Sequence, residues 1–318
     1  MRELALLSLA LIAGCGRCRG GEGGASIPSG GDDSGFEHVT LEVSGRTRDY
    51  LLHVPQSGRG PLPLVVSLHG GGGKADGVEK QSGWRVLGDR EGFVVAYPTG
   101  LGKSWNDGRK DTPSQAIRED VDDVGFLAAL IDDVGKRTSI DKKRVFMNGI
   151  SNGAFMSSRF ACERADLVAA IGLVAATMGP EVLATCKPTR RMSVIAFSGT
   201  TDPIVTFEGG TVHIGRAVRG KAVSFSESLL FWTTAAQCEA PEKRDVPDID
   251  RDDDSSVHLD AYRCERGSAV HAYTIIGGGH TWPGGHQYLP KAIVGHVNRD
   301  IDATSTMWAF FAAHPITE

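Results

Sequence analysis

Short apolar runs alternate with amphipathic segments along most of the chain. Residues 62–68 (LPLVVSL) and 93–97 (FVVAY) are continuously apolar, which is typical of strands covered on both faces. Residues 78–91 predict a helix, and residues 120–134 carry apolar side chains three and four positions apart, as in an amphipathic helix. Further strands are predicted at 144–148, 168–174, 193–197, 258–264 and 269–276, and further helices from 152, near 226–236 and at 303–313. Strands that alternate with helices predict a mainly parallel sheet.

The first two predicted strands show a different pattern of side chains from the strands that follow. Residues 38–43 and 50–54 alternate between apolar and polar side chains, which predicts an antiparallel hairpin ahead of the parallel strands. The sequence therefore predicts the α/β class, with a mainly parallel sheet, an antiparallel N-terminal hairpin and helices on both faces.

Residues 1–14 have the composition of a signal peptide. Arg2 precedes an apolar run at 4–13, which is shorter than the roughly 20 residues of a membrane span. Residues 12–15 (IAGC) resemble the lipobox of bacterial lipoproteins, in which the cysteine carries the lipid after cleavage, so we expect lipidation of Cys15. The alternative is an ordinary secretory signal that leaves Cys15 and Cys18 as a C-x-x-C pair. In both cases we expect an exported protein, either a lipoprotein of the bacterial cell envelope or an extracellular one.

The composition is that of a globular protein that does not bind nucleic acid. Of 318 residues, 41% are hydrophobic and 23% are charged. Residues 15–35 contain almost no apolar side chain and predict a flexible tether, followed by one folded domain at 36–318. The net charge is −5 and no long basic block occurs, which argues against electrostatic capture of nucleic acid. We expect a monomer that contacts a membrane only through its N-terminal lipid.

Four cysteines lie in the predicted domain: Cys162, Cys186, Cys238 and Cys264. An exported chain meets an oxidising compartment, and four thiols permit three pairings, of which the sequential one closes the shortest loops. A zinc site is the alternative, but no pair in the domain has the C-x₂₋₄-C spacing that would bring two thiolates to one ion.

The most specific chemical signal is a G-x-S-x-G motif at 149–153 (GISNG). It follows a predicted strand and precedes a predicted helix, which is the context in which a serine is held on a sharp turn at the edge of a sheet. The two glycines remove Cβ atoms that would clash in such a turn. Ser151 is therefore the predicted nucleophile.

A serine hydroxyl needs a base within hydrogen-bond reach and a third group to orient that base. Where the serine lies on a strand-to-helix turn of this kind, the three residues are expected along the chain in the order Ser, Asp, His. His280 ends a glycine loop (GGGH) straight after the last apolar strand, and Asp202 follows the strand at 193–197, so both are predicted at carboxyl ends of strands. The weaker candidates for the base are His271, His286 and His296. The acids that open the helix at 120–134 are assigned structural roles: Asp120, Asp122 and Asp123.

Negative charge that develops on a carbonyl oxygen also needs hydrogen-bond donors. The backbone N–H of Asn152, just after the serine, is one predicted donor. The strand at 62–68 runs into a glycine loop at 69–73 (HGGGG), from which Gly71 is predicted to supply the second. This run lacks the G-K-[ST] ending of a phosphate-binding loop.

Taken together, these residues resemble one family: the secreted poly(3-hydroxybutyrate) depolymerase and feruloyl esterase group of α/β-hydrolases, which includes lipoproteins. The resemblance covers nearly all of residues 36–315. Its specific segments are PLVVSLHGGGG, GFVVAYPTG, KSWNDGR, DVDDVGFLAALI, GISNGAFM, FSGTTDPIVTFEGG and GGGHTWPGG. The resemblance implies the α/β-hydrolase fold, a triad of Ser151, Asp202 and His280, and sequential pairing of the four domain cysteines.

Two tryptophans near these motifs are candidates for the walls of a substrate pocket. Trp105 lies in KSWND and Trp282 lies two residues beyond His280, and aromatic walls favour a flat or apolar group. The acidic run at 245–254 does not match a calcium-binding loop and is interpreted as solvated. We expect no metal and no cofactor.

The sequence therefore predicts a secreted or lipid-anchored serine esterase that cleaves carboxylic esters through an acyl-enzyme. The family resemblance leaves the substrate open among polyesters and feruloyl or acetyl esters on plant polysaccharide. A peptidase of the same fold is one alternative, although no propeller domain or large lid is visible. A non-catalytic polysaccharide-binding lipoprotein is another, and the intact Ser, Asp and His in the expected order argue against it.

Overall fold

The computed structural model describes residues 35–317. The predicted signal peptide, the lipidation site Cys15, the neighbouring Cys18 and nearly all of the predicted tether lie outside this range. No helix among residues 35–317 combines the length and the apolar composition needed to cross a membrane.

Strands and helices alternate along the described chain. The strands are β1 (Glu37–Val43), β2 (Arg46–His53), β3 (Leu62–Leu68), β4 (Val94–Pro98), β5 (Ile140–Ile150), β6 (Ala170–Val174), β7 (Ser193–Gly199), β8 (Gly210–Ile214), β9 (Ala217–Ala222), β10 (Glu242–Val246), β11 (Ser256–Arg263) and β12 (Ala269–Ile276). The α-helices are α1 (Ala75–Ser82), α2 (Trp84–Glu91), α3 (Gln115–Arg118), α4 (Asp123–Arg137), α5 (Asn152–Glu163), α6 (Pro180–Thr185), α7 (Phe225–Ala236), α8 (Lys291–Val294) and α9 (Ala303–Ala313).

Ten of these strands form one sheet in the order β1-β2-β4-β3-β5-β6-β7-β12-β11-β10. Six central strands are parallel to one another, in the order β4, β3, β5, β6, β7 and β12. At one edge β1 and β2 form an antiparallel hairpin, and at the other β11 and β10 run antiparallel to β12 and to each other. The predicted parallel sheet with an antiparallel N-terminal hairpin is confirmed.

Helices cover both faces of the sheet, as predicted. Along β3 the side chains of Leu64 and Val66 join one core cluster, while Val65 between them joins the other. The first cluster contains apolar residues of α4, α5 and α7, and the second contains those of α1, α2 and α9. Burial on both faces explains why the central strands are continuously apolar.

The helices differ from the prediction at two places. The predicted helix at 78–91 is two helices, because Gly83 adopts φ +67° and its N–H caps α1 through the Glu79 carbonyl. The helix predicted from residue 120 begins at Asp123, where the carboxylate of Asp122 accepts the N–H of Gly125 at 2.7 Å. Asp123 is itself buried in an ion pair with Arg48 at 2.6 Å. These contacts agree with structural roles for both acids.

Three strands of the structure are not predicted from the sequence: β8, β9 and β10. β10 (EKRDV) is an exposed edge strand, and the antiparallel hairpin of β8 and β9 forms a separate two-stranded sheet. Their side chains are mostly exposed, so the apolar periodicity that predicts strands is missing from them.

The four cysteines of the domain form two disulfides in the sequential pairing, Cys162 with Cys186 and Cys238 with Cys264. The first links the ends of α5 and α6, and the second links the loop after α7 to the end of β11. Structural disulfides are typical of exported proteins.

Candidate active site

Ser151 lies on the turn between β5 and α5 in a strained backbone conformation. Its φ of +55° and ψ of −121° belong to a region that non-glycine residues rarely adopt. Its carbonyl accepts the N–H of Ala154, so the first turn of α5 begins at once. The side chain is thereby presented at the carboxyl edge of the sheet, where it lines a cavity.

The two motif glycines are required by contacts between backbones. A Cβ at Gly149 would lie 2.5 Å from the carbonyl carbon of Gly153. A Cβ at Gly153 would lie 2.7 Å from the carbonyl oxygen of His69. Both distances are well inside van der Waals contact, so the tight turn depends on glycine at both positions.

His280 and Asp202 are in direct contact. The Nδ1 of His280 lies 2.7 Å from Oδ2 of Asp202, and both side chains are buried. The other carboxylate oxygen, Oδ1, accepts the N–H groups of Ile204 and Val205 at 2.8 and 2.9 Å. This pairing fixes the proton of the neutral imidazole on Nδ1 and leaves the lone pair on Nε2.

The loop that carries His280 crosses the end of β7. β12 and β5 are separated in the sheet by β7 and β6, so His280 reaches towards Ser151 only if its loop turns inward. The N–H groups of Thr200 and Thr201 bind the carbonyls of Ile275 and Gly278 at 2.9 and 3.1 Å and hold the loop there. The crossing is close because Gly199, at the end of β7, has no side chain.

Within residues 35–317 no hydrogen bond joins the Ser151 hydroxyl to the His280 imidazole. The structure thus brings two members of the predicted triad into contact and the third to the same edge of the sheet. Catalytic hydrogen bonds are often long in free enzymes and tighten when substrate binds.

Two backbone N–H groups beside Ser151 are free to bind an oxyanion. In the described part of the chain, no protein acceptor takes the N–H of Asn152 or of Gly71, and both residues line the cavity with Ser151. The next two glycines donate elsewhere, Gly72 to the carbonyl of Lys103 and Gly73 to that of Gly70. Among the glycines that line the cavity near Ser151, Gly71 is therefore the available donor.

His69 holds the glycine loop in place. Its Nε2 accepts the N–H of Gly100 at 2.9 Å, so the proton lies on Nδ1, which donates to the carbonyl of Gly70 at 2.7 Å. Burial lowers the pKa of His69 to about 4, so the imidazole is neutral at physiological pH. The loop that presents Gly71 is thus anchored by a neutral histidine.

A buried polar network fixes Asn152 from the other side. Its side-chain oxygen accepts the N–H of Trp105 at 2.8 Å, and its Nδ2 donates to Asp107 at 2.6 Å. The fully buried carboxylate of Asp107 also binds Nε and one terminal nitrogen of Arg109 at 3.0 and 2.7 Å. Arg109 in turn lies over the ring of Phe155, 3.8 Å from its centroid.

The cavity that opens at Ser151 has a volume of about 530 Å³. Its apolar lining comes from Ile204, Val212 and Ile214, the last two on strand β8. Its remaining wall is largely polar and comes from the segments at 102–104 and 109–118, from Arg219 of β9 and from the residues beside Ser151. No aromatic side chain of the described residues lines it. A strained serine, a buried Asp–His pair and free N–H donors at a cavity can together cleave an acyl group from an ester.

Comparison with known proteins identifies a family. Residues 49–220 match the family model described as Esterase PHB depolymerase, and this stretch includes the glycine loop, the Ser151 turn and Asp202. The chain belongs to the Esterase PHB depolymerase family. It is therefore an esterase.

Relatives of this esterase are esterases by name. NocK of Nocardia uniformis subsp. tsuyamanensis, named as an esterase, is 30% identical over 276 residues, which cover 83% of this chain and 79% of NocK. Feruloyl esterase B of Piromyces equi is 29% identical over 228 residues, which cover 69% of this chain but only 39% of that protein.

The solved structure of another protein has a similar fold. The acetyl xylan esterase from Aspergillus awamori superposes on the esterase with a TM-score of 0.59 and 15% identity, covering 87% of this chain and 99% of the other. At this identity the likeness concerns the fold, and it confirms the expected α/β-hydrolase architecture.

The prediction that two tryptophans form pocket walls in the esterase is wrong. Trp105 is fully buried and its Nε1 donates to the carbonyl of His69 at 2.9 Å. Trp282 is 1% exposed, and its Nε1 donates to the hydroxyl of Thr304 at 3.0 Å. Neither side chain lines the cavity. Trp105 supports the loop of Gly71, and Trp282 packs in the hydrophobic core.

Several residues that shape the candidate active site of the esterase are not predicted from the sequence. His69 stands out only as the start of the glycine loop, and Asp107 and Arg109 only as part of the segment KSWNDGR. Tyr288 is not predicted either, although its hydroxyl donates to the carbonyl of His280 at 3.1 Å. A polar residue inside a specific motif is the signal that could have drawn attention to the first three.

Proposed function

We propose that the esterase is a serine hydrolase with Ser151 as nucleophile, His280 as general base and Asp202 as the acid that orients the base. The observation that carries this proposal is the 2.7 Å contact between Asp202 and His280 at the sheet edge where the strained Ser151 turn lies. A serine hydroxyl is activated when it meets an imidazole that a buried carboxylate orients, and the three side chains lie at the same edge of the sheet.

The first half of the reaction forms an acyl-enzyme. Nε2 of His280 takes the proton of Ser151 as the hydroxyl oxygen attacks the ester carbonyl carbon. The N–H groups of Asn152 and Gly71 stabilise the negative charge on the carbonyl oxygen, and one such donor is worth about 3 kcal/mol in the transition state. The tetrahedral intermediate then breaks its bond to the alcohol oxygen, which receives the proton from His280.

The second half releases the acid. Water enters in place of the alcohol, His280 takes one of its protons, and the hydroxide oxygen attacks the acyl carbon. The same two N–H groups stabilise the second oxyanion, and Ser151 leaves with the proton returned by His280. This mechanism requires no metal or cofactor.

The cavity favours an aliphatic ester. Its apolar lining consists of Ile204, Val212 and Ile214, and no aromatic ring of the described residues is available to stack on a flat feruloyl group. The family model bears the name of a polyhydroxybutyrate depolymerase, and one structural relative is an acetyl xylan esterase. We therefore favour short acyl or hydroxyalkanoate esters over feruloyl esters as substrates.

The test is hydrolysis of 4-nitrophenyl butyrate together with labelling by a fluorophosphonate probe. Ser151→Ala is expected to lose both, because it removes the attacking oxygen. Ser226→Ala is the matched control, since Ser226 is an exposed serine at the start of α7. The probe should add its mass to the peptide that contains Ser151. Labelling of a different residue, or full turnover by Ser151→Ala, would refute the assignment.

We also propose that the esterase is exported and carries a lipid on Cys15. The two disulfides and the lipobox-like sequence support this. Expression of the full chain in a bacterial host with labelled palmitate tests it. The wild type should incorporate label and fractionate with membranes, whereas Cys15→Ser should do neither. Unlabelled, freely released wild-type protein would favour an ordinary secretory signal.

A further inference from the structure

The cavity at Ser151 is lined by four basic side chains: Lys103, Arg109, Arg118 and Arg219. No aspartate or glutamate among the described residues lines it. The chain as a whole carries a net charge of −5, so the positive lining is opposite in sign to the average of the molecule. A cleft lined by charge of one sign attracts ligands of the other sign.

Among the described residues, three of these four cations form no ion pair with a carboxylate. The charge of Arg109 is balanced by the buried carboxylate of Asp107, 2.7 Å away. By contrast, no carboxylate within residues 35–317 forms an ion pair with Lys103, Arg118 or Arg219. Arg118 donates to the carbonyl of Pro113, so Lys103 and Arg219 are the cations of the lining that remain most open to the cavity.

Arg219 is the most enclosed of the three. It lies half-buried on β9, in the hairpin that also brings Val212 and Ile214 to the cavity. Its Nε is buried and lacks a hydrogen-bond partner. Lys103 and Arg118 are exposed and approach the cavity from the other wall. The guanidinium of an arginine is a planar fork of N–H donors that can bind a carboxylate, and two further cations line the same cavity.

We propose that the cavity selects esters that carry a free carboxylate, which Arg219 binds together with Lys103 and Arg118. This inference rests on the proposed serine esterase function and specifies its substrate class. The carboxylate can belong to the acyl part, as in a monoester of a dicarboxylic acid, or to the alcohol part, as in a hydroxyalkanoate oligomer with a free acid end. The shared chemistry is an anionic group within reach of the scissile ester.

The experiment compares kcat/KM for matched pairs of charged and neutral esters. For the acyl part the pair is mono-4-nitrophenyl adipate and its methyl ester. For the alcohol part the pair is the dimer of 3-hydroxybutyrate and its methyl ester. Within each pair we define the preference as kcat/KM of the acid divided by that of the methyl ester. The neutral member reports on the catalytic machinery alone, and if wild type hydrolyses none of the four esters the proposed function itself fails.

The wild type should prefer the acid by about 10-fold in at least one pair, as expected for a charge-assisted, partly buried contact. That pair identifies the part of the substrate that bears the carboxylate. Adding about 0.5 M NaCl should reduce the preference, because salt screens the partly exposed cations. A preference below 2-fold in both pairs would overturn the inference while leaving the esterase activity intact.

Variants then test the residue. Arg219→Met should reduce the preference about 10-fold, and Arg219→Lys should restore part of it because the charge returns without the fork. Arg216→Met is the matched control, since Arg216 lies on the turn of the same hairpin and does not line the cavity. Lys103→Met provides a second variant in case Arg219→Met folds poorly. If Arg219→Met and Lys103→Met lose activity towards both esters equally, the preference is unchanged and the inference is wrong.

Discussion

Replacing Gly199 by alanine should displace the loop of His280 without touching any catalytic side chain. A Cβ at this position would lie 2.5 Å from the carbonyl carbon of Gly278 and 2.7 Å from the carbonyl oxygen of Gly279. The backbone of Gly199 is not in the left-handed region, so alanine fits its conformation and only the contact is at issue. The added methyl group therefore pushes directly on the backbone next to His280.

The size of the effect follows from these distances. Carbon atoms in contact lie roughly 3.5 Å apart, so the loop must move by about 1 Å to relieve the overlap. A shift of about 1 Å in a catalytic group can lower the rate about 100-fold, which corresponds to about 2.7 kcal/mol in the activation free energy. Overpacking of this kind also destabilises a fold by about 1–3 kcal/mol. We expect kcat to fall much more than KM rises.

The assay is steady-state hydrolysis of 4-nitrophenyl butyrate together with a thermal unfolding curve. Gly77→Ala is the matched control, because Gly77 lies within α1 and a Cβ there meets no atom within 4 Å. The control should keep its activity and gain up to about 1 kcal/mol of stability, since alanine favours a helix over glycine. If Gly199→Ala folds and keeps kcat within a factor of three of wild type, the loop does not position the base as we infer.

Three further outcomes are expected. Burial lowers the pKa of His69 from 6.5 to about 4. Between these pH values the unfolded chain binds a proton at His69 that the folded chain does not, so the free energy of unfolding should fall by about 3 kcal/mol as the pH drops from 6.5 to 4. Urea unfolding should show a smaller drop for His69→Asn, and an equal drop would contradict this. Asp107→Asn leaves Arg109 buried without its counter-charge and should cost about 3 kcal/mol in urea unfolding together with a loss of kcat; unchanged stability would exclude a structural ion pair. Replacing Cys238 and Cys264 by serine opens a loop with a sequence separation of 26 and should cost about 3 kcal/mol, and a melting temperature within 1 °C of wild type would count against it.

The sequence was most informative where chemistry and secondary structure coincide. Ser151, Asp202 and His280 each follow an apolar strand, and the carboxyl ends of parallel strands meet at one edge of a sheet, so their convergence could be predicted. The sequence indicates that a glycine loop supplies the second oxyanion donor, but it cannot identify which glycine. That choice depends on which N–H groups of the loop already donate to other carbonyls.

Other features depend on contacts between residues far apart in the chain. The imidazole of His69 binds Gly100, and the carboxylate of Asp107 binds Asn152, and no local pattern encodes either pairing. The tryptophans illustrate the opposite error. Trp282 is close to His280 in sequence, yet its side chain turns into the core to reach Thr304. Proximity along the chain therefore gave no information about side-chain direction.

The hairpin of β8 and β9 forms no ladder with the ten-stranded sheet, yet it supplies one wall of the cavity. Its exposed side chains can thus be varied while the strands that precede Ser151, Asp202 and His280 keep their alignment. Substitutions confined to this hairpin would change the shape and charge of the cavity without rebuilding the sheet. An engineer who wants a new ester profile would begin with that hairpin and leave the rest of the scaffold alone.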